Sequence, residues 1–162
     1  MTEPTLRIRS ATPEDSPAVA DIWHAGWPDG HLGHVPEELV AVRTEESFHQ
    51  RAAERVADTV VAEVGGTVAG FTMVVDDEVE QIYVDASHRG SGVADALLAD
   101  AEARIRAAGH ARTWLAVVAG NARARRFYER RGWIDDGPLV YPADGPSGPI
   151  EVPAHRYVKD LS

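Results

Sequence analysis

The amino-acid sequence predicts an α/β fold, a single domain spanning residues 1–162, and three observations carry that prediction. Short β-branched runs alternate with stretches of helical periodicity. A strand at Val79–Val84 leads through the glycine-rich stretch His88-Arg89-Gly90-Ser91-Gly92-Val93-Ala94 into a long helix. One strand later a second helix runs from Asn121 to Arg131 and stops at Gly132, so the second half of the chain reads strand, helix, strand, helix, strand.

The elements follow in order. Leu6 and Ile8 alternate with Arg7 and Arg9 as a short strand, and Thr12-Pro13-Glu14-Asp15 supplies an N-cap with proline at the first helical position. Ala18, Ile22 and Ala25 recur at helical spacing until Gly26 and Pro28, which predicts a helix ending near Trp27 and a loop from Pro28 to Pro36. Glu37 to Ala57 reads as helix in one or two pieces, with Val40, Phe48, Ala52 and Val56 inward. Thr59–Val64 and Val68–Val75, joined by Gly65-Gly66, predict a hairpin. Val93, Leu97, Ala101, Ile105 and Ala108 line one side of a helix capped by Gly109, and Thr113–Val118 is the next strand. Pro138, Pro142, Pro146, Pro149 and Pro153 predict that the C-terminal region is strand, long loop and a final strand from His155 to Lys159.

Composition narrows the functional classes. No apolar run approaches the roughly 20 residues that cross a bilayer, and Met1 to Ser10 lacks the apolar stretch of a secretion signal, so a soluble, cytoplasmic protein is expected. With no cysteine, disulfides, thiolate metal sites and a cysteine nucleophile are excluded. The net charge of -10 opposes nucleic-acid binding in the absence of a segregated basic face.

The turn after Val84 concentrates several backbone N–H groups and a positive helix end at one point, with Arg89 beside it, which is the chemistry of a phosphate site. Glycines at 90 and 92 permit positive φ and close approach of an oxygen to the backbone. Asp95 stands where a dinucleotide fingerprint needs glycine or alanine, and no lysine followed by serine or threonine closes a nucleoside-triphosphate loop. A turn used only for tight packing is the alternative.

The strand, the Arg89-x-x-Gly92-x-Ala94 turn and the later Asn121-x-x-Ala124-x-x-x-Tyr128-x-x-x-Gly132-Trp133 helix together resemble the GNAT superfamily of N-acetyltransferases. The resemblance extends over nearly the whole chain and is weakest at Pro28–Arg55 and Gly137–Pro153. It implies the GNAT fold, a mixed sheet of about six to seven strands flanked by about four helices. It also implies acetyl-CoA as co-substrate, with the backbone of Ile82, Tyr83 and Val84 along the pantetheine arm. Arg89, Gly90, Ser91, Gly92, Val93 and Ala94 would sit on the pyrophosphate, and Asn121 would contact the cofactor. The Val84 N–H would polarise the acetyl carbonyl, and a homodimer would be unsurprising.

Acetyl transfer to an amine needs a base, an oxyanion donor and a proton for the leaving thiolate. Tyr128 is the expected acid, with core packing as the alternative. Glu80 shares a strand face with Ile82 and Val84 under simple alternation, and burial there would suit it as a base acting through water; a solvated charge in an acidic run fits equally. His31 and Trp27, beside the Gly/Pro-rich loop, are expected at the acceptor site. His24, His31 and His34 lack the pattern of a metal-binding helix, so no metal is expected. The function expected is N-acetyl transfer to a primary amine of a small molecule or peptide by direct attack in a ternary complex. An acyl-CoA-binding regulatory module without turnover is the alternative.

Overall fold

The computed structural model describes residues 5–161. The first four residues of the segment searched above for a secretion signal lie outside that range, as does Ser162. Seven strands form one sheet: β1 (Leu6–Ser10), β2 (Thr59–Val64), β3 (Thr67–Val75), β4 (Glu78–Val84), β5 (Arg112–Val118), β6 (Ile134–Ala143) and β7 (Ile150–Asp160). Their order is β1-β2-β3-β4-β5-β7-β6, antiparallel throughout except for the parallel pair β4/β5. The helices are α1 (Ser16–His31), α2 (Glu37–Val42), α3 (Glu45–Glu54), α4 (Val93–Ala107) and α5 (Ala122–Arg130). The architecture is the expected mixed α/β sheet, with seven strands and, among the described residues, five α-helices against the about four expected.

Two apolar layers sandwich the sheet. Trp23 and Trp27 of α1, Leu39 of α2 and Phe48 of α3 pack on Phe71 and Met73. On the other face Leu98, Ala101 and Ile105 of α4 meet Tyr128 of α5, Leu115 and Tyr157. At roughly 25 cal/mol per Å² of apolar surface withdrawn from water, these layers are the main source of stability.

Helix α1 runs past Trp27 to His31. Gly26 does not end it: a Cβ there would stand 2.7 Å from the Tyr83 ring, so this glycine lets the ring lie flat on the helix. Gly30 does the same for the Asn121 side chain, 2.6 Å from where a Cβ would sit. Pro28 costs only the hydrogen bond to His24 near the helix end. The segment from Glu37 breaks into two helices at Thr44, whose hydroxyl accepts from the Ser47 N–H at 3.1 Å.

The C-terminal prolines are less disruptive than expected. Pro138 and Pro142 lie in β6, an edge strand. Strand β7 begins at Ile150, five residues before the expected His155, and Pro153 is inside it. The Pro153 carbonyl accepts from the Ala119 N–H, just beyond the last residue of β5, so the proline's missing donor falls where β7 has outrun its neighbour.

Candidate active site

The parallel pair β4/β5 meets only at its start, in the register Glu78 to Trp114. Asp77 makes that junction: its carbonyl accepts from the Trp114 N–H at 3.1 Å and the Thr113 hydroxyl at 2.8 Å, and its carboxylate accepts from the Trp114 indole at 3.1 Å. Beyond it the strands diverge. The bond from the Asp85 N–H to the Ala69 carbonyl fixes the phase of the β3/β4 ladder, so Tyr83 exchanges its backbone bonds with Phe71. The N–H and C=O of Ile82 and Val84 therefore point into the gap. The Tyr83 backbone, expected along the pantetheine arm, is turned away from it; its side chain lies on the α1 side instead.

At the end of the gap the glycine turn takes the conformation its sequence predicts. Gly90 has φ 78° and Gly92, the residue before α4, has φ 88°. Among the described residues, the N–H groups of Gly92, Val93, Ala94 and Asp95 have no acceptor within the protein. A Cβ at Gly90 or Gly92 would meet no protein atom within 4 Å, so the turn faces open space. Arg89 lies beside it and pairs with Asp29 of α1 at 3.2 Å. Val93 is buried beneath the turn against Leu97, and neither it nor the Ser91 side chain lines the cleft, so both can act there only through the backbone.

The gap opens into a cleft of about 720 Å³ that continues between α1, α3 and the loop after β6. Tyr128 enters it from α5, almost fully buried, with its ring edge-on to Phe127 and Trp133. Burial lifts the phenol above its ordinary pKa, and the nearby Tyr83 phenol adds to that. Tyr128 thus stays protonated at neutral pH, available as a proton donor. Asn121 caps α5, its side-chain oxygen accepting from the Ala124 N–H at 3.2 Å, which leaves its amide nitrogen toward α1.

A β-bulge revises the position of Glu80. Met73 pairs with Gln81 and Val74 with Val79, so Glu80 is the extra residue, and alternation breaks there. Ile82 and Val84 pack toward α4. Glu80 turns the other way and takes both guanidinium nitrogens of Arg55, at 2.5 and 3.1 Å. That bidentate pair commits the Glu80 carboxylate to Arg55. Glu78, on the same side, is the carboxylate that burial lifts above its ordinary pKa, with the Tyr141 hydroxyl donating to it at 2.6 Å and limiting the rise. Sequence reasoning passed over Glu78 because its neighbours Asp76 and Asp77 suggested a solvated acidic run.

At the α1 wall of the cleft, His31 stacks on Trp27 with ring centroids 4.4 Å apart, and its Nδ1–H donates to the Trp27 carbonyl at 2.7 Å. Burial, reinforced by the charges of Arg43 and Arg51, pushes His31 down to about 4, so the ring is neutral and presents Nε2 as an acceptor. Away from the cleft, Asp21, Glu45 and His49 come within metal-ligating distance of one another on the outer surface of α1 and α3. Among the described residues, no helix is long and apolar enough to cross a membrane.

The comparisons agree with this geometry. Residues 17–133, well over half of the chain, match the model of the acetyltransferase (GNAT) family. An uncharacterized N-acetyltransferase of Mycobacterium bovis is 29% identical over 116 residues, covering 66% of this chain and 74% of its own. The PaiA N-acetyltransferase of Thermoplasma acidophilum, solved in complex with coenzyme A, superposes with a TM-score of 0.72 at 18% identity, over 96% of this chain and 99% of its own. YncA of Salmonella typhimurium, solved with its cofactor acetyl-CoA, gives 0.70 at 19% identity over 97% and 94%. A sheet parted at β4/β5, a glycine turn with unclaimed N–H groups and this family match lead to one conclusion: the chain belongs to the GNAT family and is an acetyltransferase.

Proposed function

We propose that this enzyme transfers the acetyl group of acetyl-CoA to a primary amine of a small molecule or peptide, by direct attack while both substrates occupy the cleft. The observation that carries this reading is the parting of β4 from β5, which among the described residues leaves the Ile82 and Val84 backbone groups unpaired in the cleft that the glycine turn and Tyr128 also line. Acetyl-CoA supplies the activated acyl group as a thioester. The free N–H groups from Gly92 to Asp95 suit its pyrophosphate, and the open space before Gly90 and Gly92 gives phosphate oxygens room to approach.

Each step has a residue of this chain. The Val84 N–H, aimed into the gap, stabilises negative charge developing on the acetyl oxygen. Glu78 holds the proton given up by the attacking amine, its affinity raised by burial, while Glu80, held by Arg55, lines the same cleft. Tyr128, protonated at the start of the reaction, gives its hydroxyl proton to the departing thiolate as the carbon–sulfur bond breaks and regains one from solvent. Trp27 and His31 wall the acceptor end.

The test is release of free thiol from acetyl-CoA against polyamines, amino acids, aminoglycosides and short peptides. Acceptor-dependent release that falls about 100-fold in Tyr128→Phe, within the range for a lost general acid, supports the reading. Tight acetyl-CoA binding with no release for any amine would favour a non-catalytic acyl-CoA-binding module.

A further inference from the structure

Six arginines of the described chain are half-buried: Arg9, Arg43, Arg51, Arg55, Arg125 and Arg131. Arg9 holds Asp15 and Glu63, Arg55 holds Glu80, Arg125 holds Asp135 and Arg131 holds Asp95. Arg43 and Arg51 differ: among the described residues neither side chain has a hydrogen bond or a carboxylate within ion-pair distance. Both line the acceptor end of the cleft. The Arg51 guanidinium lies over the Trp23 ring, 4.3 Å from its centroid, a contact that orients the cation without neutralising it.

Two such groups facing one cavity are costly to keep charged. Burial lowers Arg43, and burial together with the Arg43 charge lowers Arg51 to about 10. Two carboxylates compensate at a distance: Asp144, in the loop after β6, is exposed and pairs with neither, and Glu80, which acts on Arg51, is held by Arg55. An oxyanion placed between the guanidinium groups would gain charge-assisted hydrogen bonds from partly buried cations that have no carboxylate of their own. We propose that Arg43 and Arg51 form an oxyanion subsite, so that the amine acceptor also carries a carboxylate or an equivalent oxyanion, as an amino acid does. The same cleft holds Glu78 and Glu80 for the amine, so the subsite favours a zwitterionic acceptor over the purely cationic amine that the net charge of -10 suggests.

This inference rests on the acetyltransferase reading for turnover but not for binding, and the experiment separates the two. Calorimetric titration and thiol release are run on the full chain with matched probes: L-methionine against 3-(methylthio)propylamine, L-phenylalanine against phenethylamine, and aminomethylphosphonate against methylamine. The oxyanion-bearing member of at least one pair is expected to bind and react at least 100-fold better, and carboxylate against phosphonate preference identifies the oxyanion. Arg51→Met and Arg43→Met, which keep most of the side-chain length, are expected to raise its KM at least 10-fold with acetyl-CoA affinity held within twofold. Arg51→Lys should restore part of the loss. Binding of the oxyanion probes without thiol release upholds the subsite and counts against the transfer reading. Equal or better use of the decarboxylated amines, or no binding of any oxyanion probe by a protein that still binds acetyl-CoA, overturns the subsite.

Discussion

Replacing His31 by glutamine removes a side chain that binds a proton at different pH in the two states of the protein. In the native cleft the imidazole is held neutral down to about 4, whereas in the unfolded chain it titrates at the ordinary 6.5. The unfolded state therefore binds more protons between these values, and stability is present above pH 6.5 and lost as pH falls toward 4. With one pKa unit equivalent to about 1.4 kcal/mol, two-state linkage gives a loss of about 2 kcal/mol between pH 7 and pH 5. Asp15, lowered to about 2 chiefly by Arg9, contributes nothing to that interval, because its own window lies below the ordinary carboxylate range. Urea unfolding of the parent and of His31→Gln at the two pH values measures the effect. The parent should lose about 2 kcal/mol more than the variant. An equal loss in both would show that His31 is charged or solvated in the native state, and the neutral, stacked imidazole would have to be abandoned.

The remaining predictions concern the cleft and its walls. Glu78→Gln should lower kcat more than Glu80→Gln and remove the acidic limb of the pH profile; the reverse ranking would return the base role to Glu80. Gly92→Ala, at φ 88°, should cost about 1–2 kcal/mol of stability from left-handed strain and weaken acetyl-CoA binding, both read in one thermal-shift titration. Gly26→Ala should destabilise by about 1–3 kcal/mol by driving a Cβ into the Tyr83 ring, as measured by urea unfolding. An unchanged midpoint would mean that the ring moves aside freely.

Features set by neighbours in sequence were legible before the structure. The glycine turn, the helix that follows it and the β2/β3 hairpin are all local, and each falls within a few residues of its expected place. Errors arose where a distant partner decides. Gly26 looked like a helix terminator and Gly30 like part of a loop because their reasons for being glycine, Tyr83 and Asn121, lie on other elements. Glu80 was put on the wrong face because a bulge is a property of the β3/β4 pairing and leaves no mark on the alternation of β4 itself. Arg43 and Arg51 sit in the segment where the family resemblance is weakest, and only the tertiary structure reveals that they lack the carboxylates their counterparts possess.

The single point of contact between β4 and β5 also bears on how the enzyme unfolds. Past Asp77 and Trp114 no ladder bond ties β1 through β4 to β5, β7 and β6, and the two half-sheets cohere through their shared apolar layers. A pantetheine chain lying in the gap would stand in for the missing strand, so acetyl-CoA should act as a mechanical tie across the middle of the protein as well as a reactant. Amide exchange at Ile82 and Val84 should slow on its binding far more than exchange at Tyr83, whose partner on β3 is already in place.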